Sequence, residues 1–489
     1  VNGGADRGAL AIVLHTHMPY VEGFGTWPFG EEWLWEAMAS CYLPLLELLD
    51  GGAPLTLSLT PVLCDQLEAP GVGERFAKFI QEVRRSTHER DAAGLRAGGH
   101  ETLAREVERS WGDYERALQS FERQGGDLLG SLARHAQWGS AATHAVLPLL
   151  ASDAGVSLQV QSGINAHRAR FGDDWRGGFW LPECAHAPWL ERALEDGGVS
   201  AVCVEATSRL GLGAREHLRP IATDSGVMLV PIDRSSISLV WSDDGYPASS
   251  AYRDYHHHTI HHHNPWNNGG GAYDHAEACA LARVHAADFV TRTLARLRDA
   301  NERTSSEAPL SGGGLVVCAL DTELLGHWWY EGIDWLRAVV EECSRQGLEL
   351  VRLDDALEQI EPAPVDAPLT ASDRVDPVAQ TSSWGRDGDL STWSGPAVSE
   401  MAFAMRAAEL DVLAAGAQVG ATAVRELLAL QASDWPFMVS RDIAVPYARE
   451  RFAGHRAALE DALAAGPLAG GQALRNLAVH AQANVLHAP

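Results

Sequence analysis

The sequence predicts an α/β fold on a parallel sheet, with a helical excursion inside it and a helical region after it. Three observations predict this. Strand-length apolar runs alternate with helix-period segments. The polar motifs able to carry chemistry stand directly after those runs, where a parallel sheet exposes its reactive groups. Past about Val378 only helix-period apolar patterns remain. About six to eight strands can be read, so the pattern alone leaves both an open sheet and a closed barrel open.

Residues 9–14 form the first strand and run into His15-Thr16-His17-Met18-Pro19. Residues 55–59 form a second, ending at Thr60-Pro61. From about Glu68 the chain turns charged and helical, and residues 68–136 read as an inserted helical subdomain. Alternation resumes with strands at 178–181, 201–204 and 227–232 and a helix at 189–195. The stretch 241–273 has no period and is rich in Gly, Asn, Pro, Tyr and His. A loop that long in a compact domain is functional or disordered. A helix at 286–298 and a polar segment at 301–314 lead to a buried strand at 315–320, and 348–353 reads as the last strand. Residues 361–377, with Pro362, Pro364, Pro368 and Pro377, read as a linker. It separates a catalytic part, 1–360, from a C-terminal helical domain, 378–489, with helices at 401–415, 421–432 and 445–465.

The bulk composition excludes several classes. With 46% apolar and 21% charged residues the chain is globular, and its longest apolar runs fall far short of the ~20 residues of a membrane span. A formal charge of −27 argues against nucleic acid, which needs clustered Lys and Arg; Lys78 is the only lysine. The first residues lack a basic segment followed by an apolar one, which gives the expectation of no secretory signal. The seven cysteines, without CxxC or repeated spacing, fit reduced thiols and a cytoplasmic location. Sixteen tryptophans in an acidic chain suit a neutral ligand with flat apolar faces, such as a sugar chain. Nothing in the sequence fixes the oligomeric state.

Four polar clusters follow strands: His15/His17, His144, Glu183 and Asp321/Glu323. Taken alone, Glu183 in Trp180-Leu181-Pro182-Glu183-Cys184 could be a carboxylate set against a helix dipole, and Asp321-Thr322-Glu323 an N-cap. Together, two carboxylates at strand ends with tryptophans beside both are what glycosidic cleavage needs. One attacks or shields the anomeric carbon while the other protonates the leaving oxygen. His15-x-His17 also has the form of metal ligands in a hydrolytic barrel. Such barrels often add a carbamylated lysine, and Lys78 lies in the helical insert, away from any strand end. The other reading has His15, His17 and His144 bonding sugar hydroxyls and orienting the carboxylates. The cluster His256-His257-His258 and His261-His262-His263 reads as a solvated loop or an opportunistic transition-metal tract.

These motifs, in order, resemble glycoside hydrolase family 57 and, within it, its α-1,4-glucan branching enzymes. The resemblance rests on His15-Thr16-His17-Met18-Pro19-Tyr20, Ser140-Ala141-Ala142-Thr143-His144 and Trp180-Leu181-Pro182-Glu183-Cys184. It continues through Asp321-Thr322-Glu323-Leu324-Leu325-Gly326-His327-Trp328-Trp329 to Ser382-Ser383-Trp384-Gly385 and Trp393. It implies an incomplete (β/α)7 barrel with a helical insert and a helical C-terminal domain over the site. Carried over by motif, Glu183 is the nucleophile and Asp321 the general acid/base, with no metal or organic cofactor. Trp384 and Trp393 would line the glucan groove, and His327, Trp27 and Trp266 are further substrate-binding candidates. Gly245-Tyr246-Pro247 resembles the tip of a mobile loop, making Tyr246 the candidate lid residue that excludes water, with Tyr252 an anchor. The implied activity is retaining transfer of an α-1,4-glucan chain to a 6-hydroxyl. The alternatives are a hydrolase or 4-α-glucanotransferase on the same scaffold and a non-catalytic glucan-binding protein. The chain departs from the family at His186, where Tyr is common, in 321–325, where Leu replaces Phe, and most in 255–271.

Overall fold

The structure, a computed structural model, describes residues 8–25, 30–302, 310, 313–363, 381–466 and 474–487. Its strands are β1 (Ala9–Thr16), β2 (Thr56–Leu59), β3 (Ala136–Ser140), β4 (Gly178–Trp180), β5 (Ala201–Val204), β6 (Ile221–Ala222), β7 (Met228–Pro231), β8 (Leu315–Asp321) and β9 (Glu349–Leu350). The sheet order is β6-β7-β5-β4-β3-β2-β1-β8, with β9 on β1. Pairing is parallel throughout except for β6 on β7. β1 and β8 are buried almost end to end, as strands covered on both faces must be, and this is why they read as unbroken apolar runs. The curled sheet approaches closure between β7 and β8, where the Asp233 N–H donates to the Val317 carbonyl at 2.8 Å. This is the incomplete barrel that the resemblance implies.

The 348–353 strand is cut to Glu349–Leu350 for a local reason. β8 fills one edge of β1, and β2 takes the other edge from Val13 onward, leaving β9 only Ala9 and Leu10. The chain then enters a helix at Leu353–Leu357. Between β2 and β3 stand the helices of the insert, the longest being Glu101–Arg123, whose Phe121 meets Phe76 edge-on. After residue 380 the helices Ser399–Ala415, Ala421–Leu430, Asp434–Ser440 and Val445–Ala465 form a second apolar core. That core takes in Tyr20, Val62, Ala142 and Leu158 from the sheet side, so the helical region is packed onto the C-terminal ends of the strands. Most of the 361–377 segment lies outside the described residues.

The 241–273 stretch is built, not loose. Tyr252 and Tyr273 are buried in it, and the Asp254 carboxylate accepts from the His256 and His257 N–H groups. The Asn264 amide donates to the carbonyls of Asp254, Tyr255 and His257. Its histidines dock on the insert: His261 Nδ1 lies 2.6 Å from Asp91, and the His263 ring packs 3.8 Å from that of His88.

Candidate active site

Strand register brings the chemistry together. His15 pairs with Ser58 on one side and Asp321 on the other, and Ser140 pairs with Trp180. The ends of β1, β2, β3, β4 and β8 therefore open at one level, beneath the helical region.

Glu183 stands in a 3-10 turn after β4 with φ of 60°, a left-handed backbone that a residue with a Cβ rarely adopts. His144 (φ 61°) and Cys184 (φ 50°) share it. Such residues cost about 1–3 kcal/mol each and persist where neighbours over-determine them. The neighbours here come from the helical side. The Trp384 N–H donates to the Glu183 carbonyl at 3.1 Å, and the Ser433 N–H donates to that of His144 at 3.1 Å.

Both oxygens of Glu183 accept a hydrogen bond, one from Ser433 Oγ at 2.8 Å and one from Trp384 Nε1 at 3.1 Å. A carboxylate only accepts, so the Ser433 hydroxyl proton points at Glu183. This orients a chain of contacts in one sense. His144 Nδ1–H donates to Ser433 Oγ at 2.8 Å, His15 Nε2–H to His144 Nε2 at 2.9 Å, and Ser58 Oγ to His15 Nδ1 at 3.3 Å. The chain needs both imidazoles neutral. Burial, with the neighbouring His17, holds His15 and His144 well below the ordinary histidine value. The His15 ring also stacks on Trp180, whose indole touches Trp384.

His17 stacks on His144 at 3.9 Å, yet its environment is opposite. Burial opposes its charge, but Asp434, 2.9 Å from Nε2, outweighs burial together with Glu323 and Glu183, and its pKa is raised. Burial lifts Glu323 to about 7, while the Tyr42 hydroxyl at 2.6 Å and the His17 N–H lower it.

Asp321 and Glu183 are provisioned differently. Burial pushes Asp321 well above the carboxylate range, and Glu323 and Glu183 push it further; among the described residues nothing donates a hydrogen bond to it. Burial raises Glu183 as well, but Trp384 and Ser433 work against the rise. A proton shared between the two belongs on Asp321, and the negative charge on Glu183.

The structure thus gathers His15, His17, His144, Glu183, Asp321 and Trp384. It adds Ser433 and Asp434, which sequence reasoning missed; their signal was a polar pair before Trp435-Pro436 where two helices break. Other candidates sit elsewhere. Trp393 is 1% exposed in a cluster with Val146 and Ala185, so it seals the contact between sheet and helices and offers no face to a groove. Tyr246 is 8% exposed, with its hydroxyl on Asp288 at 2.7 Å and its ring stacked on His285; it is not a free lid tip. Tyr252 is fully buried, its hydroxyl 2.8 Å from His285 Nδ1. Trp266 stacks on His257 within its loop, and His327 lines a separate cavity. Trp27 lies outside the described residues.

Residues 138–368 match the glycosyl hydrolase family 57 model, and residues 397–477 match a model described as 1,4-alpha-glucan branching enzyme, C-terminal. A probable 1,4-alpha-glucan branching enzyme of Mycobacterium tuberculosis is 32% identical over 94% of this chain and 93% of its own length. The chain belongs to glycosyl hydrolase family 57. The 1,4-alpha-glucan branching enzyme of Thermococcus kodakarensis is 30% identical over 92% of this chain and 72% of its own. The crystal structure of a family 57 branching enzyme from Pyrococcus horikoshii superposes with a TM-score of 0.82 at 30% identity, covering 92% of this chain and 88% of that one. The first matched segment contains His144, Glu183 and Asp321 and the second contains Ser433 and Asp434, so the site joins the two.

Proposed function

We propose that this chain is a retaining 1,4-α-glucan branching enzyme, with Glu183 as nucleophile and Asp321 as general acid/base. The observation that carries the assignment is the unequal provision of the two carboxylates: among the described residues, two donors on Glu183 and none on an Asp321 flanked by like charges. Asp321 gives its proton to the interglycosidic oxygen as Glu183 attacks the anomeric carbon, forming a glucosyl-enzyme with inverted configuration. Asp321, now a base, takes the proton of an incoming glucan 6-hydroxyl, which displaces Glu183 and restores the original configuration as an α-1,6 branch. His15, His144 and Ser433 fix the attacking carboxylate, and Trp384 presents an indole beside it for sugar stacking.

The substrate on this reading is an amylose- or glycogen-like polysaccharide, and the role is glycogen biosynthesis in the cytoplasm, a setting that the seven free cysteines suit. Among the described residues no helix is long and apolar enough to cross a membrane. The catalytic part is residues 1–360 and the helical part 378–489. Hydrolysis is the second reading, favoured by the place of Tyr246: its hydroxyl is committed to Asp288, so it does not stand where it could exclude water. Proton NMR of linear amylose incubated with the protein, beside a Glu183→Ala control, decides. New α-1,6 signals that the control lacks, with little rise in reducing ends, establish transfer. Reducing ends alone establish hydrolysis, and no change in either sinks both.

A further inference from the structure

A cavity of about 780 Å³ lies between the helical insert, the 253–264 loop and the 326–330 segment. It is not the carboxylate site, since neither Glu183 nor Asp321 lines it. Its volume is within the ~300–1,000 Å³ at which small-molecule sites are found.

Charge decides what it can hold. Five arginines line it, and each is committed to a carboxylate. Arg84 pairs with Glu36, Arg253 with Glu106, Arg116 with Asp113, Arg123 with Glu47, and Arg337 with Asp334. Among the described lining residues no arginine is set aside for an anionic ligand. Burial lowers His262, His263 and His327, which keeps these imidazoles neutral. Glu32, only 6% exposed, lines the wall with no hydrogen bond to its carboxyl among the described residues, and burial raises it to about 7. Two aromatic faces remain open at the wall, Tyr255 at 42% and Trp328 at 39%. Neutral imidazoles, a carboxyl that lies near Arg84 but has no hydrogen bond among the described residues, and exposed aromatic faces together match a neutral ligand carrying many hydroxyls and apolar ring faces.

We propose that this cavity is a second, non-catalytic saccharide site that holds a strand of α-glucan, with Glu32 bonding its hydroxyls and Tyr255 and Trp328 stacking on its rings. The saccharide chemistry is read from the cavity itself; that the saccharide is an α-glucan rests on the function proposed above. The site is tied to the catalytic cleft through two segments. The 321–329 run carries Asp321 into the cleft and His327 and Trp328 into the cavity. The turn Met38–Tyr42 puts Ala39 and Ser40 on the cavity wall while Tyr42 bonds Glu323.

Hydrogen exchange of the full chain carrying Glu183→Gln, with and without maltoheptaose, tests this. The expected result is protection in two places: around 140–144 and 433–434 in the cleft, and around 31–40 and 253–264 at the cavity. Glu32→Leu is expected to weaken the cavity protection about tenfold, the loss of one or two hydrogen bonds, and to leave the cleft protected. Should Glu32→Leu fail to fold, Tyr255→Ala is the replacement and the same loss is expected. Protection at the cleft alone overturns the second site and leaves the proposed function standing. Protection at neither overturns both. Protection at the cavity alone supports the second site and counts against Glu183 as a glucan nucleophile. Cavity protection unchanged in both variants overturns the assigned contacts.

Discussion

Replacing Ser433 with alanine tests the division of labour between the two carboxylates most directly. The change removes the hydroxyl that donates to Glu183 Oε1 at 2.8 Å and accepts from His144 Nδ1 at 2.8 Å. A hydrogen bond to a charged group is worth about 1.5–3 kcal/mol, which at ~1.36 kcal/mol per tenfold is roughly a 10- to 150-fold change in an equilibrium. Burial already raises Glu183 and the Ser433 bond opposes the rise, so losing the bond raises it further. On the proposed mechanism Glu183 must be charged to attack, so its protonation ends activity at a higher pH in the variant. On the acid limb of kcat/KM the rate therefore falls roughly 10- to 150-fold at fixed pH, and above the limb it falls less, by whatever orientation is lost. The buried His144 N–H also loses its acceptor, a separate cost of about 1–3 kcal/mol to stability. The assay is initial rate against pH with an activated maltooligosaccharide, beside a thermal melt. A rate loss equal at every pH, with the acid limb unmoved, refutes the reasoning and leaves Ser433 a structural residue.

Asp434→Asn removes the charge that raises His17. A raised histidine stabilises the fold fully below its unfolded pKa, and that contribution disappears as pH rises through the folded one. The variant is thus expected to lose about 1–3 kcal/mol at pH below the ordinary histidine value and progressively less as pH rises through the raised one, checked by denaturant titrations across a pH series; a loss that does not change with pH contradicts the assignment. Tyr246→Phe deletes only the bond to Asp288 and is expected to cost about 1 kcal/mol of stability while leaving the ratio of α-1,6 bonds to reducing ends unchanged. A shift of that ratio toward reducing ends would show that Tyr246 leaves Asp288 during turnover.

What the sequence disclosed depended on whether a contact leaves a local trace. β1 and β8 are buried on both faces and read as plain apolar runs. β3, Ala-Gln-Trp-Gly-Ser, carries no such run and has no strand assigned to it, the helical excursion being read up to its first residue. The helix Asp153–Phe171 that covers it went unread because its buried positions mix Gly155, Gln159, Ser162 and Gly163 with Val156, Leu158, Val160 and Ile164, so no single apolar stripe shows. The reason is closeness: a Cβ on Gly163 would come 2.1 Å from the Ser140 carbonyl, so the helix rests on backbone. Glu183 and Asp321 were legible because strand ends are marked in the sequence. Ser433 was not, since it meets Glu183 from 250 positions away. Tyr246 and Trp393 entered through the resemblance, and here both turn inward to close packing that only the folded chain defines.

The same distances explain why the helical region belongs to the chemistry. Residues before 364 can raise the strands and place the Glu183 backbone in its left-handed turn, but among the described residues both hydrogen bonds to the Glu183 carboxylate come from beyond residue 380. The strained turns at His144 and Glu183 are clamped from the same side, by the Ser433 and Trp384 N–H groups and by the bridges Ala145–Ala432 and His186–Ser382. Two left-handed residues at about 1–3 kcal/mol each would relax if those clamps were lost. Relaxation at either would tilt the carboxylate and break the chain from Ser58 through His15 and His144. The second apolar core, which Tyr20, Val62, Ala142 and Leu158 share with the helices, is what holds the clamps in register. Docking of the helical region and the charge on Glu183 are therefore coupled: a loosened core would remove both donors, raise Glu183 and disorder it together.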